Sequence, residues 1–276
     1  MRGSCELHYL QAQRSSASPS KNHCDSPVLF SRGVMNATVV TLHEEHSESS
    51  DLVELTLEAC GMAKKAASNA IDGLINGSSA ALKMVRSCEE KLDELDRELD
   101  QRLAPVITQV TPDRARELLA CMKLMFDLER IGDLIVSFAE RAAIVRNRID
   151  MEDIGQLTKM ACLLENMLDQ VSKAFTERNV DMALHVIRTD AEIDRLRNLL
   201  LVRHTENSDG LKGQESLHVL SMANALERAG DHAKNIAEET CHLATGHTVR
   251  HLLRAKDKSF EQLFLDWLSK QTAGKV

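Results

Sequence analysis

Leu128-Glu129-Arg130-Ile131-Gly132-Asp133 returns as Leu226-Glu227-Arg228-Ala229-Gly230-Asp231, with five of six residues unchanged at an offset of 98. Upstream, Glu89 to Asp93 aligns with Asp190 to Asp194 at an offset of 101, Val85 with Val186 and Leu95 with Leu196. Two motifs in one order at nearly one offset mark a tandem duplication. Each copy is about 100 residues long, the size of a small domain.

The period inside each copy is helical. Leu52, Leu55, Ala59, Met62 and Ala66 recur at spacings of three and four. Asn76-Gly77-Ser78 breaks that helix, and Leu82, Val85, Leu92, Leu95 and Leu99 carry a second that ends near Pro105. Thr111-Pro112-Asp113 starts a third, with proline in the first turn, where its missing N–H is not needed. That helix runs to about Arg148. The plan repeats over 153–177, Asn179 to His204 and 214–244, with a break at Ser208-Asp209-Gly210 and Gly246 beyond the last helix. No proline follows Pro112 to interrupt any of these.

The expected fold is therefore all-α: six helices in two tandem three-helix bundles, over residues 51–150 and 151–251. Residues 1–50 hold two of the four prolines and many Ser, Asn and His, and read as a disordered arm. In the tail, 252–276, Phe260, Leu263, Phe264, Trp267 and Leu268 mark a short C-terminal amphipathic helix with the only Trp in the chain.

Composition narrows the function classes. Hydrophobic residues are 43% and aromatics 3% of the 276, so the core is aliphatic, which suits helix-on-helix packing. The net charge of -8 argues against nucleic acid, which calls for a basic face with stacking aromatics. The seven cysteines are scattered, odd in number and without Cys-x-x-Cys, which fits a reducing, cytoplasmic setting. No apolar run has membrane-spanning length.

Each copy carries two acid-x-x-x-Asp motifs: Glu89/Asp93 and Glu129/Asp133, then Asp190/Asp194 and Glu227/Asp231. Residues four apart share a helix face, and like charges there repel by a few tenths of a kcal/mol. Glu140 and Glu238, seven residues after the motif Asp, continue the stripe. If the two motif helices of a copy pack side by side, four carboxylates converge and raise their own pKa values unless cations neutralise them. Oxygen-only ligands suit hard ions such as Mg²⁺, Mn²⁺, Ca²⁺ or iron. Solvated acidic faces paired with Arg130 and Arg228 are the plainer reading of the same residues. Gly132 and Gly230 fall mid-helix, where glycine costs roughly 1 kcal/mol against alanine, so each calls for close approach by a helix or a ligand.

These residues carry a family resemblance. Leu-Glu-Arg-Ile-Gly-Asp at 128–133, and Leu-Glu-Arg-Ala-Gly-Asp-His-Ala-Lys-Asn-Ile-Ala-Glu at 226–238, resemble the signature of the PhoU family, accessory regulators of bacterial phosphate-specific transport. The resemblance covers about 52–251, including Thr245-Gly246-His247-Thr248-Val249-Arg250-His251 near the family's usual end. It implies six helices in two similar bundles, often as a homodimer. It also implies multinuclear iron or zinc clusters, with manganese or magnesium as further candidates. The residues implied as ligands are Glu89, Asp93, Glu129, Asp133, Asp190, Asp194, Glu227 and Asp231. The implied partners are the ATPase subunit of the phosphate ABC transporter and the phosphate-sensing histidine kinase, with membrane association only through them. The implied role is non-catalytic: restraining phosphate uptake and keeping phosphate-starvation signalling off, in phosphate homeostasis.

The first copy departs from the pattern. Its signature continues as Leu134-Ile135-Val136-Ser137-Phe138-Ala139-Glu140, without the counterpart of Asn235. The Gln-Pro-x-x-x-Asp-Leu-Arg segment expected before the third helix survives only as Pro112-Asp113-Arg114. The tail after His251 lies outside the pattern; its apolar face suits packing onto the bundle or docking onto a partner.

Two other readings compete. One is a metal-free adaptor whose acidic stripes meet a basic partner. The other is a di-iron carboxylate oxidase, which needs Glu-x-x-His on two helices. Glu215/His218 and Glu239/His242 are the matches, but they fall 24 residues apart on one expected helix, roughly 36 Å. No catalytic residue is expected: there is no phosphate-cradling glycine loop and no nucleophile elbow.

Overall fold

The computed structural model describes residues 32–145, 147–206 and 213–247, with side chains from Ser47 onward, Glu206 excepted. The chain divides into a unit Met1–Val40 and a unit Thr41–Val276, and every side chain discussed below belongs to the second. Among the described residues six helices form: α1 (Arg32–Asn76), α2 (Ser79–Ile107), α3 (Pro112–Val145), α4 (Met151–Glu177), α5 (Val180–Glu206) and α6 (Gly213–Thr245). No strand occurs among the described residues. None of their helices is long and apolar enough to cross a membrane.

Helix ends follow local chemistry. Gly77 adopts φ 65, and the Ser78 hydroxyl then accepts from Ala81 N at 3.1 Å to start α2. Asp150 caps α4 by accepting from Asp153 N at 2.8 Å. Gly246, at φ 76, donates to His242 O at 2.8 Å and closes α6. The expected end near Pro105 is passed by one half-turn, because Leu103 and Val106 are buried and hold the last turn of α2 in the core.

α1 begins at Arg32, so residues 32–50, which composition grouped with the arm, are helical. Between Gly33 and Gly61 nothing breaks a helix. The serines that read as loop are partners instead: buried Ser49 accepts from Arg114 Nε at 3.0 Å and Ser50 from Arg114 Nη2 at 2.9 Å. Residues 1–31, the Ser208-Asp209-Gly210 break and the amphipathic tail lie outside the described residues.

α2 packs on α3 in the first bundle, and α4, α5 and α6 pack on one another in the second. α1 joins the first through Arg114, through Asp51–Arg102 at 3.2 Å and through Glu58–Lys91 at 3.9 Å. The bundles meet where α3 packs on α6, and Lys64 of α1 reaches Asp169 of α4 at 2.6 Å. The core is aliphatic as composition required, with Phe138 and Phe175 its largest fully buried side chains. A polar tie closes one end of the second bundle. Buried Asp153 accepts from Arg203 Nε and His204 Nε2, each at 3.1 Å, and His204 Nδ1 meets Ser216 Oγ at 3.0 Å. These bonds join α4, α5 and α6.

Candidate functional site

The four motifs sit on α2 and α3 in the first bundle and on α5 and α6 in the second. What brings each pair together is glycine. A Cβ at Gly132 would lie 2.7 Å from Leu92 Cδ1. One at Gly230 would lie 3.1 Å from Ile193 Cδ1 and 3.3 Å from Asp190 Oδ1. Leu92 and Ile193 are equivalent residues of the two copies, so one device is used twice. Close helix packing, the first of the two roles open to these glycines, is the one the structure shows.

The eight carboxylates then face one another within each bundle. Burial first, then the charges of Asp93, Asp133 and Glu90, push the Glu89 carboxyl up. Burial and Asp133 raise Glu129, against the opposing charge of Arg130. In the second bundle burial raises Asp190, opposed by its Lys234 hydrogen bond, and Asp231 and Asp194 add to the rise. Glu227 is raised by burial and by Asp231, against Arg197. Asp93 and Asp194 are half-buried, and Asp133 and Asp231 are exposed.

Among the motif carboxylates two buried oxygens have no hydrogen-bond partner, Glu129 Oε2 and Asp190 Oδ1. Arg130 Nε comes within 3.1 Å of that Glu129 oxygen, but without the alignment of a hydrogen bond. Among the described residues no three His, Cys, Asp or Glu side chains are closely enough grouped to hold a metal ion. The carboxylates thus share two faces, spread wider than a closed coordination shell. The stripe's outer members play other parts: Glu140 pairs with Arg86 at 2.8 Å, and Glu238 is buried.

The residues around the motifs differ between the faces. Asp96, seven residues after Glu89 on α2, extends the first face; burial, Asp100 and Asp93 raise its carboxyl. Its counterpart in the second copy is Arg197. Lys234 donates to Asp190 Oδ2 at 2.7 Å, and its counterpart in the first copy is Val136. Sequence reasoning missed both, although Asp96 falls on the helical spacing of Glu89 and Asp93, and Lys234 stands three residues after Asp231. It also missed the seam between the copies. There Asp127 accepts from His232 Nδ1 at 2.7 Å and Asn235 Nδ2 at 3.3 Å, and Lys123 meets Glu239 at 2.8 Å.

The two Glu-x-x-His pairs occupy one uninterrupted helix, α6, as expected. Glu215 lies 3.6 Å from Arg148, and Glu239 is held by Lys123.

The profile of the PhoU domain matches the chain twice, at residues 56–142 and 157–240. The chain belongs to the PhoU family. Among the PhoU relatives, a phosphate-specific transport system accessory protein PhoU homolog of Zymomonas mobilis is 30% identical over 209 residues, covering 74% of this chain and 87% of that one. PhoU homolog 1 of Thermotoga maritima, described in the same terms, is 28% identical over 200 residues, 70% and 85% of the two chains. The crystal structure of PhoU from Pseudomonas aeruginosa superposes with a TM-score of 0.67 at 25% identity, covering 73% of this chain and 99% of that one. The phosphate transport system regulatory protein PhoU from Streptococcus pneumoniae shares the fold, with a TM-score of 0.68 over 74% and 98% of the two chains.

Proposed function

We propose that this chain is a non-catalytic accessory regulator of phosphate transport, acting by contact with the transport system. The observation that carries the reading is the doubled match to the PhoU domain, together with relatives of that printed role matched over most of their length. The finer assignments rest on the resemblance: contacts with the transporter's ATPase subunit and the phosphate-sensing kinase, a homodimer, a cytoplasmic location, and repression of phosphate-starvation signalling. The test is made in cells lacking the protein and grown in ample phosphate. A starvation-response reporter and phosphate uptake should both rise, and the full chain should return them to the basal level. Unchanged uptake and reporter in the deletion strain would refute the role.

We further propose that the acidic faces take hard divalent or trivalent cations, with iron or zinc in multinuclear form implied by the family and manganese or magnesium as alternatives. The donor set supports this: oxygen ligands only, carboxylates that raise one another, and buried oxygens at Glu129 and Asp190 without a hydrogen-bond partner. Glu89, Asp93, Glu129 and Asp133 would hold metal on the first face, and Asp190, Asp194, Glu227 and Asp231 on the second. The ions would supply positive charge that ties paired helices together. A metal-free adaptor has a specific observation in its favour on the second face, where Lys234 already neutralises Asp190. Elemental analysis of untagged protein beside the Glu129→Gln/Glu227→Gln double variant decides between them. Several equivalents of metal, lost in the variant, support the clusters. A metal-free protein of unchanged stability in both forms leaves the adaptor.

A further inference from the structure

A groove of about 620 Å³ opens between α2, α3 and α6, apart from the motif carboxylates. Met122 and Phe126 of α3 line it. With Leu119 they form a stripe at spacings of three and four, and these side chains remain 42% (Leu119), 39% (Met122) and 59% (Phe126) exposed. Arg130 covers one side of the Phe126 ring, 5.5 Å from its centroid, and the rest is open. The rim is acidic. Asp127 and Glu239 are engaged by His232 and Lys123 across the seam, whereas Asp96 and Asp100 on α2 face a local excess of negative charge. An apolar strip beside a negative rim fits an amphipathic segment carrying basic residues.

Such a segment follows α6 in this chain. Arg250, Arg254, Lys256 and Lys258 precede the apolar positions Phe260, Leu263, Phe264 and Trp267. The described residues end at His247, just after the left-handed turn at Gly246. Glu239 in the groove wall is only six residues, about 9 Å, back from the end of α6. The stretch 248–259 spans up to about 40 Å extended, more than the return requires.

We propose that residues 250–268 of this chain dock in the α2/α3/α6 groove, the apolar positions on Leu119, Met122 and Phe126 and the basic run against Asp96 and Asp100. The tail is then a strap across the seam between the bundles. Any partner that uses this groove must first displace it.

Trp267 is the only tryptophan, so its emission reports the tail directly in the full-length protein. The wild type should show blue-shifted emission and resist acrylamide quenching. Phe126→Glu should shift the emission red and restore quenching while far-UV helicity is retained, because Phe126 lies outside the bundle core. Asp96→Lys/Asp100→Lys should do the same, as should Arg254→Glu/Lys258→Glu, and combining the two charge reversals should recover the shielded signal. Three results would overturn the proposal: a wild-type Trp267 already open to quencher, shielding untouched by every groove variant, or shielding that disappears on dilution. The last would assign the groove to the tail of a second copy.

Discussion

On the first bundle the acidic face runs Glu89, Asp93, Asp96 along α2 and Glu129, Asp133 along α3, with Arg130 as the cation beside Glu129 and Asp133. On the second, Arg197 stands where Asp96 would be, and Lys234 bonds the most buried acid, Asp190, at 2.7 Å. The motifs are duplicated but their charge balance is not. The second face carries much of its neutralisation within the fold, whereas the first leaves more negative charge to be met from outside. The first copy departs further from the family pattern, yet the charges around its carboxylates leave it with the larger uncompensated negative charge. A repeated motif therefore fixes where carboxylates stand, and the residues between the motifs decide what they need.

The largest effect should come from removing the internal cation. Lys234→Met leaves Asp190 buried without its ion-pair partner, a loss of about 3 kcal/mol in urea unfolding. The reciprocal change, Val136→Lys, places a cation on the first face and should raise the stability of chelator-treated protein while lowering its metal content. A Lys234→Met protein as stable as wild type would end the contrast.

The glycines come next. Gly132→Ala drives a Cβ to 2.7 Å from the buried Leu92. Overpacking of about 2 kcal/mol, partly offset by about 1 kcal/mol of helix propensity, leaves a net loss near 1 kcal/mol. Gly230→Ala meets Ile193 at 3.1 Å and should be close to neutral. Thermal melts of the two variants, ranked in the opposite order, would show that the second helix pair is the tighter.

Acidity gives a smaller effect with a definite sign. Glu89, Glu129, Asp190 and Glu227 all titrate above their ordinary values in the fold. Each then binds its proton more tightly folded than unfolded. The stability linked to them is present at low pH and is lost as pH rises through the raised pKa. In chelator, the melting temperature should fall as pH rises through the window just above the ordinary carboxylate range. Asp150, Asp169 and Glu192 are lowered, so their opposite contribution falls below that window. Glu129→Gln should flatten the slope, and added Mn²⁺ should restore stability at neutral pH. A profile that rises with pH would contradict the crowding of these acids.

The smallest effect concerns Arg130. Its pairs with Glu129 and Asp133 are half-exposed on the arginine side, so Arg130→Gln should cost no more than about 0.5 kcal/mol in the same melts. A much larger loss would mean that Arg130 neutralises the first face as Lys234 does the second.

The six helices were legible because heptad-like apolar spacing and strong breakers recur in both copies: Asn76-Gly77-Ser78, Thr111-Pro112 and Gly246 each stand at a helix boundary. The start of α1 was not legible. Ser49 and Ser50 read as loop by composition, and only Arg114, 64 and 65 residues away, makes them part of a packed helix. The motif carboxylates were legible as pairs on single helices. Their different neighbours were not, since Lys234 and Asp190 are 44 residues apart and meet only when α5 and α6 pack.

The sequence by itself determined the helix count, the duplication, the family and the placing of two acidic motifs in each copy. Periodicity and breakers act within a few residues, so they survive without knowledge of the packing. The tertiary structure decided that Gly132 and Gly230 serve close helix approach and that Asp127 joins the copies through His232 and Asn235. It also decided that only one acidic face carries its own lysine. Those are contacts between helices, and charge and burial there depend on which faces meet, a quantity that no local pattern contains.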